Sequence, residues 1–282
     1  MILQRDLKLR DRKMKLGISS YTYTWAVGVS GSMPPEPLTA YGLIDKTVSA
    51  GLELVQIADN LPLEKLNPAV LDDLHRYAQG KGVMIEMGGR GLKPEHTMHC
   101  LQTAERLNSK LLRMVIDDQD FEPDLPAIIS IIRDLLPELK SRQIKLAIEN
   151  HDRLKAREFE KIVTSVGSGM VGICLDSVNS MGAGEGFETV SEILIPYTIN
   201  LHIKDFTIFR VAHKMGLVIE GRPAGKGMLD VRELLIKLTE KGICESTLLE
   251  LWTPPESDIT STILKEEKWA DDSIEYLKSV IN

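Results

Sequence analysis

The chain has 282 residues, of which 43% are hydrophobic and 27% charged, a composition typical of a globular protein with one large domain or two small ones. The net charge of −7 argues against binding to nucleic acid, and no apolar run approaches the roughly 20 residues that a membrane span needs. Three widely spaced cysteines in apolar contexts, Cys100, Cys174 and Cys244, are typical of reduced core residues, so we expect a cytoplasmic protein.

Residues 1–13 mix charged residues with leucine and contain no apolar segment of the kind found in secretory signals. We interpret them as an N-terminal leader, with a short helix on the exterior of the domain as the alternative. Residues 14–282 are predicted to form one catalytic domain, whose first strand opens at Met14.

Eight short, mostly apolar runs are predicted strands, and longer segments with helical periodicity separate them. The predicted strands cover residues 16–20, 52–58, 83–88, 111–116, 145–150, 171–176, 199–205 and 246–252. This alternation predicts a parallel sheet, either closed into a barrel or open and doubly wound. Eight units in a chain of about 270 residues, with no linker and no glycine-rich dinucleotide turn after the first strand, favour a single (β/α)8 TIM barrel.

Helix starts are predicted at Pro94, Asp124 and Asp230 because proline and acidic caps are common there. The segment GRPAGKG at 221–227 resembles a phosphate-binding loop, but it is one residue short and no Ser or Thr follows the lysine. We therefore predict an ordinary turn before a helix. Residues 206–229 form an unusually long connection, which we expect to act as a lid or pocket wall.

Four late strands each carry a potential metal ligand near the C-terminal end: Glu149 in KLAIEN, Asp176 in GICLD, His202 in NLHIK and Glu250 in LLEL. A charged residue in a strand buried on both faces costs several kcal/mol unless it is paired or bound to a metal. Spacings of 27, 26 and 48 residues place the four on successive strands, so a barrel brings them to one mouth. Three carboxylates and one imidazole predict a site for one divalent metal ion, with Mn²⁺ preferred and Mg²⁺, Co²⁺ or Zn²⁺ as alternatives.

The order LAIEN, GICLD, NLHIKD and LLELW over an eightfold βα pattern resembles the xylose-isomerase-like superfamily of sugar phosphate isomerases and epimerases, over residues 14–282. The resemblance implies that the four residues bind one metal and that Glu149 and Glu250 are also the catalytic acid/base pair. A metal that bridges a carbonyl and the neighbouring hydroxyl stabilises a cis-enediolate, and two carboxylates can remove and return its proton. The expected function is a metal-dependent isomerase or epimerase of a ketose or sugar phosphate; the family also allows a homo-oligomer.

Further residues are candidates for binding a carbohydrate substrate. His151, two residues after Glu149, could polarise a substrate oxygen. Lys204 shares a strand face with His202 and could bind a carboxylate or phosphate, or form a structural ion pair. Glu86 and Arg113, inside the third and fourth strands, could pair with each other or bind polar substrate groups.

Two other candidates bear on the type of reaction. Arg222 in the long connection could reach the mouth, where the family often places an arginine. Asn179, three residues after Asp176, stands where many family members have histidine. Both features keep open a decarboxylase or lyase that acts on a 3-oxo sugar acid or 3-keto glycoside.

Two remaining alternatives differ in class. An abasic-site endonuclease on the same barrel needs many histidine ligands, but His75, His96 and His99 fall in predicted helices, and the acidic charge opposes DNA binding. A non-catalytic sugar-binding barrel would show no dependence on metal.

Overall fold

The computed structural model describes residues 14–281, so the expected leader, residues 1–13, lies outside the described residues. The strands are β1 (Lys15–Ser19), β2 (Leu54–Ile57), β3 (Met84–Arg90), β4 (Leu111–Val115), β5 (Lys145–Glu149), β6 (Val171–Asp176), β7 (Thr198–Ile203), β8 (Asp205–Arg210), β9 (Leu217–Arg222) and β10 (Ser246–Leu249). The helices are α1 (Thr24–Val27), α2 (Ala40–Ser49), α3 (Pro68–Gly80), α4 (Pro94–Arg106), α5 (Leu125–Arg142), α6 (Ala156–Val166), α7 (Phe187–Leu194), α8 (Val231–Lys241) and α9 (Ile259–Ile281).

Eight of the strands form a closed parallel barrel in the order β1-β10-β7-β6-β5-β4-β3-β2. This confirms the predicted single (β/α)8 barrel. Each predicted strand corresponds to one barrel strand, with ends that differ by three residues at most. Since all barrel strands are parallel, their C-terminal ends meet at one mouth, which is where such barrels place their sites.

The helices surround the barrel and begin where the sequence predicts. Pro94 opens α4, the Asp124 side chain accepts a hydrogen bond from the backbone of Ala127, and that of Asp230 accepts one from Glu233. Their apolar faces pack on the outside of the strands, so most of the core lies between the helices and the barrel. Within residues 14–281, no helix combines the length and apolarity that crossing a membrane requires.

The long connection after β7 was predicted to be a loop. It instead contains an antiparallel hairpin of β8 and β9. Its register runs from Asp205 opposite Arg222 to Arg210 opposite Leu217. The segments DFTIFR and LVIEGR are rich in β-branched and aromatic residues, which favour strands. Those residues were assigned to a loop because a βα connection rarely has strands of its own.

A buried carboxylate, that of Asp205, holds the base of this hairpin. Its Oδ2 accepts hydrogen bonds from the backbone N–H groups of Gly225 and Gly227, each 2.9 Å away, and its Oδ1 accepts from Phe206 and Leu229 at 2.8 and 3.0 Å. A Cβ on Gly227 would lie 2.1 Å from Oδ1, so the turn needs glycine there. The glycine-rich turn therefore wraps a carboxylate of its own chain, in agreement with its assignment as a turn.

We expect Asp205→Asn to lower the free energy of unfolding by about 3 kcal/mol, because an amide has one acceptor oxygen and turns its NH₂ group towards N–H donors. Urea denaturation measures the change. Asp120→Asn is the matched control, since Asp120 is exposed and makes no hydrogen bond to another described residue. Equal unfolding midpoints for both variants would contradict this role of Asp205.

Candidate metal centre

The four predicted metal ligands lie together at the C-terminal end of the barrel. Glu149 and Asp176 end β5 and β6, His202 lies in β7, and Glu250 follows β10 directly; each is at most 1% exposed. Nδ1 of His202 is 3.3 Å from Oε1 of Glu250, 3.8 Å from Oε2 of Glu149 and 3.9 Å from Oδ2 of Asp176. We call these four residues the tetrad.

The donor atoms of the tetrad fit a divalent cation. Nδ1 of His202 and one carboxylate oxygen each of Glu149, Asp176 and Glu250 are buried and lack a hydrogen bond of good geometry within the described chain. Buried polar atoms are normally satisfied. The three oxygens face the cations Arg113 and Lys204, and Nδ1 of His202 has no donor of its own, so this cluster of acceptors fits a further cation. Carboxylate and imidazole ligands suit Mn²⁺, Mg²⁺, Co²⁺ or Zn²⁺.

Below the tetrad, a layer of polar side chains fixes the histidine ring. Nε2 of His202 lies 2.8 Å from Oε1 of Gln56, so the ring proton is assigned to Nε2 and the lone pair of Nδ1 faces the carboxylates. Gln56 in turn donates to Glu86, 3.1 Å away. Orientation of a ligand histidine through its other nitrogen is usual in metal sites.

Glu86, a predicted substrate ligand, does not reach the mouth. It accepts hydrogen bonds from Gln56 and Asn200 and borders a separate cavity with Lys15 and Lys110, near the N-terminal strand ends. It forms no ion pair with Arg113 within residues 14–281. Its place in β3, four residues before the end of the strand, accounts for its depth.

Two buried cations sit against the tetrad. The Nε of Arg113 is in contact with Oε2 of Glu149, and its Nη1 lies 3.0 Å from Oδ1 of Asp59. The Nζ of Lys204 is 2.8 Å from Oδ2 of Asp176 and 2.9 Å from Oε2 of Glu250. Their charges partly neutralise the three carboxylates.

The two glutamates differ in basicity. Burial raises the pKa of Glu149 to about 8, although Arg113 opposes the shift. Burial acts in the same direction on Glu250, but His202, Lys204 and Arg113 outweigh it and lower its pKa to about 2. Burial lowers the pKa of His202 to about 4, so its ring is neutral, as a metal ligand must be.

The other predicted substrate ligands are placed as follows. Lys204 borders a cavity of about 430 Å³ whose walls include Tyr21, Trp25 and Glu220. Asn179 donates to Oε1 of Glu149 at 2.8 Å. His151 lies just outside, with Nε2 3.3 Å from Nη2 of Arg90.

Arg222 lies at the end of β9 and contacts Glu220 and the carbonyl of Gly221. It is not among the residues that line the 430 Å³ cavity. Residues 217–221 do reach the cavity wall through Ile219, Glu220 and Gly221, so the hairpin forms one side of the mouth.

Sequence reasoning missed Asp59 and Arg90. Asp59 accepts hydrogen bonds from Arg113, Arg90 and Tyr21 at 3.0 to 3.1 Å. Burial would raise its pKa, but Arg113 and Arg90 outweigh it and lower the pKa to about 2. Both residues show the pattern that pointed to the tetrad, a charged residue at the C-terminal end of a buried strand. Asp59 comes shortly after β2. Arg90 ends β3, which was predicted to stop at residue 88.

The remaining histidines and cysteines lie mostly elsewhere. His75 is in α3, and His96 and His99 are in α4, on the outer layer of the barrel. All three cysteines are free and buried, as expected for core residues. Cys174 nevertheless has its sulfur within 4.8 Å of ligand atoms of Glu149 and His202, and burial raises its pKa well above the usual range, so it remains a thiol.

We expect metal binding to weaken as the pH falls below 8. A carboxyl whose pKa is raised is protonated below that pKa in the metal-free protein, so a metal must displace the proton of Glu149. The Kd for Mn²⁺ should rise by up to about tenfold per pH unit below 8. Calorimetry in two buffers of different ionisation enthalpy measures the released proton, which should disappear in Glu149→Gln. A Kd that is constant between pH 6 and 8 would contradict this linkage.

The fold and sequence match known proteins. Residues 44–280 match the sequence model of a protein family described as xylose isomerase-like TIM barrel. The chain is 30% identical over 266 residues to a 3-oxo-isoapionate decarboxylase of Pectobacterium atrosepticum, covering 94% of this chain and 95% of the relative.

Solved structures with the same fold include D-psicose 3-epimerase of Clostridium cellulolyticum H10 with D-tagatose, at a TM-score of 0.71 and 15% identity, covering 95% of this chain and 100% of that one. A xylose isomerase-like TIM barrel protein of Mycobacterium smegmatis in complex with magnesium has a TM-score of 0.67 and 13% identity, covering 95% and 99%. At these identities the likeness concerns the fold. The family match and the sequence relative show that this chain belongs to the xylose isomerase-like TIM barrel family.

Proposed function

We propose that the protein is a metal-dependent lyase that decarboxylates a 3-oxo sugar acid, with the tetrad of Glu149, Asp176, His202 and Glu250 as its metal ligands. The observation that carries the proposal is the pairing of Glu250 with Lys204, which leaves Glu250 a weak base. Epimerisation needs two groups that exchange a proton with carbon, whereas loss of CO₂ from a 3-oxo acid needs no base. The decarboxylase relative, similar over 94% of this chain, supports the same choice.

The charge of the site also favours an anionic substrate. Four carboxylates, those of the tetrad and Asp59, lie among three cations, Arg90, Arg113 and Lys204. These four negative and three positive groups have a net charge of −1, and one divalent metal ion would change it to +1. A site with a positive balance in a barrel mouth attracts an acid over a neutral sugar.

In the proposed reaction the C1–C2 electron pair of the substrate moves into the C2–C3 bond, and the C3 carbonyl oxygen gains the negative charge. CO₂ leaves, and a proton taken up at C2 completes the product. A bound divalent cation supplies Lewis-acid stabilisation of that developing charge.

Lys204 is suited to stabilise the same oxygen from the chain. Burial lowers the pKa of its ammonium group, but Asp176 and Glu250 raise it well above the usual range, so the group stays charged. Its third contact, with Oδ1 of Asn179, is long at 3.4 Å, and the side chain is 13% exposed and borders the cavity, so a substrate oxygen competes only with this weak contact. A fixed donor at a developing oxyanion contributes more in a site with little water than it would in solution.

The second candidate is an isomerase or epimerase of a ketose or sugar phosphate, with Glu149 and Glu250 as the acid/base pair. The raised pKa of Glu149 supports it, because one of the two glutamates retains the basicity needed to remove a proton from carbon.

We expect the Mn²⁺-loaded protein to release CO₂ from 3-oxo-isoapionate, the compound in the name of the Pectobacterium relative. In D₂O, D-fructose and D-tagatose should gain no deuterium at carbon. A coupled CO₂ assay and NMR measure the two outcomes. Deuterium incorporation into a ketose without any CO₂ release would favour the second candidate and contradict the first.

Lys204→Met should lower kcat for CO₂ release by about 10²- to 10³-fold, since it removes a donor at the developing charge. Its bound Mn²⁺, measured by elemental analysis, should equal that of the wild type. Lys226→Met on the exposed turn is the matched control and should leave kcat unchanged. An unchanged kcat in Lys204→Met would contradict this role.

A further inference from the structure

The guanidinium group of Arg90 is fixed on one side and open on the other. Its Nε donates to Oδ2 of Asp59 at 3.1 Å, and its Nη2 lies 3.3 Å from Nε2 of His151. Among residues 14–281, no acceptor lies within hydrogen-bond distance of its Nη1. The side chain is 34% exposed, compared with 2% for Arg113, and Arg90 is the last residue of β3, so the guanidinium group is partly exposed at the C-terminal end of the barrel.

The two partners hold this orientation firmly. The Asp59 carboxylate is itself held by Arg113 and by the hydroxyl of Tyr21, each 3.0 Å away. Nδ1 of His151 lies 3.2 Å from Oδ2 of Asp152, which assigns the ring proton to Nδ1 and leaves Nε2 to accept from Arg90. A guanidinium held in this way loses little conformational entropy when it binds a ligand.

The other two cations of the mouth are already engaged. Arg113 contacts both Glu149 and Asp59, and Lys204 lies between Asp176 and Glu250. Arg90 touches one carboxylate through Nε only. Of the three cations, it is therefore the one whose outer N–H groups are available and exposed.

We infer that Arg90 binds the carboxylate of the sugar acid substrate and selects acids over neutral ketoses. The identity of the acid as the substrate rests on the proposed function. A guanidinium offers parallel N–H groups that match a carboxylate, and its contact His151 is only two residues from the tetrad residue Glu149. A neutral sugar would offer the outer N–H groups no carboxylate, which is the usual basis of discrimination.

The test compares D-erythronate, a sugar acid, with erythritol, its uncharged counterpart, as ligands of the Mn²⁺-loaded protein. Calorimetry should show that the wild type prefers erythronate. Arg90→Gln should weaken erythronate binding at least about tenfold and leave erythritol unchanged, and Arg90→Lys should keep part of the preference. Arg157→Gln, on an exposed face of α6, is the matched control and should change neither.

The inference is overturned by a wild type without preference for erythronate, or by an Arg90→Gln protein that weakens both ligands equally. Thermal melting of both Arg90 variants reports whether the fold is retained. If the glutamine variant unfolds, binding by the lysine variant is the test. Failure of the proposed function is a separate result. If the wild type releases no CO₂ but binds erythronate through Arg90, the proposed anion site stands and only the proposed decarboxylation fails.

Discussion

Mutual repulsion among three carboxylates buried in one barrel mouth is the constraint on which the rest of the site depends. Glu149, Asp176 and Glu250 all lie within 3.9 Å of one imidazole nitrogen, where water cannot screen them. Arg113 and Lys204 reduce the repulsion, and the raised pKa of Glu149 reduces it further, because that carboxyl is protonated below about pH 8. The polar layer under the barrel mouth, from Glu86 through Gln56 to His202, keeps the lone pair of the histidine directed inwards, while burial keeps the ring neutral. Under the proposed function, a divalent cation takes the place of the proton on Glu149.

The compensating cations also determine the chemistry. A carboxylate that is paired with an ammonium group keeps its negative charge, and so it can hold a metal but removes protons poorly. Glu250 is in this position, whereas burial raises the pKa of Glu149 despite its contact with Arg113. The neighbours of the four proposed ligands therefore decide which of them act as bases.

The fold and the tetrad could be predicted because each has a local signal. Eight alternating segments specify a barrel, and a charged residue at a buried strand end marks a candidate ligand such as Asp176 without knowledge of its neighbours. The surroundings of the tetrad have no such signal. The contact of Arg90 with His151 joins residues 61 positions apart, and Gln56 reaches His202 across 146 positions. Glu86 is predicted to pair with Arg113 or to bind the substrate, because a sequence shows that a strand residue is charged, but not how deep it lies.

The hairpin shows a related limit. Its strands have ordinary β propensity, but within a barrel the expected order of elements argues for a loop, and the pattern of Asp205 followed by glycines about 20 residues later has no general meaning. Only the folded chain shows that four backbone N–H groups converge on that carboxylate. Because Asp205 directly follows Lys204, the same short segment places the ammonium group beside the tetrad and anchors the cavity wall above it. The position of the Lys204 ammonium group and the shape of the mouth are therefore set by adjacent residues of one strand end.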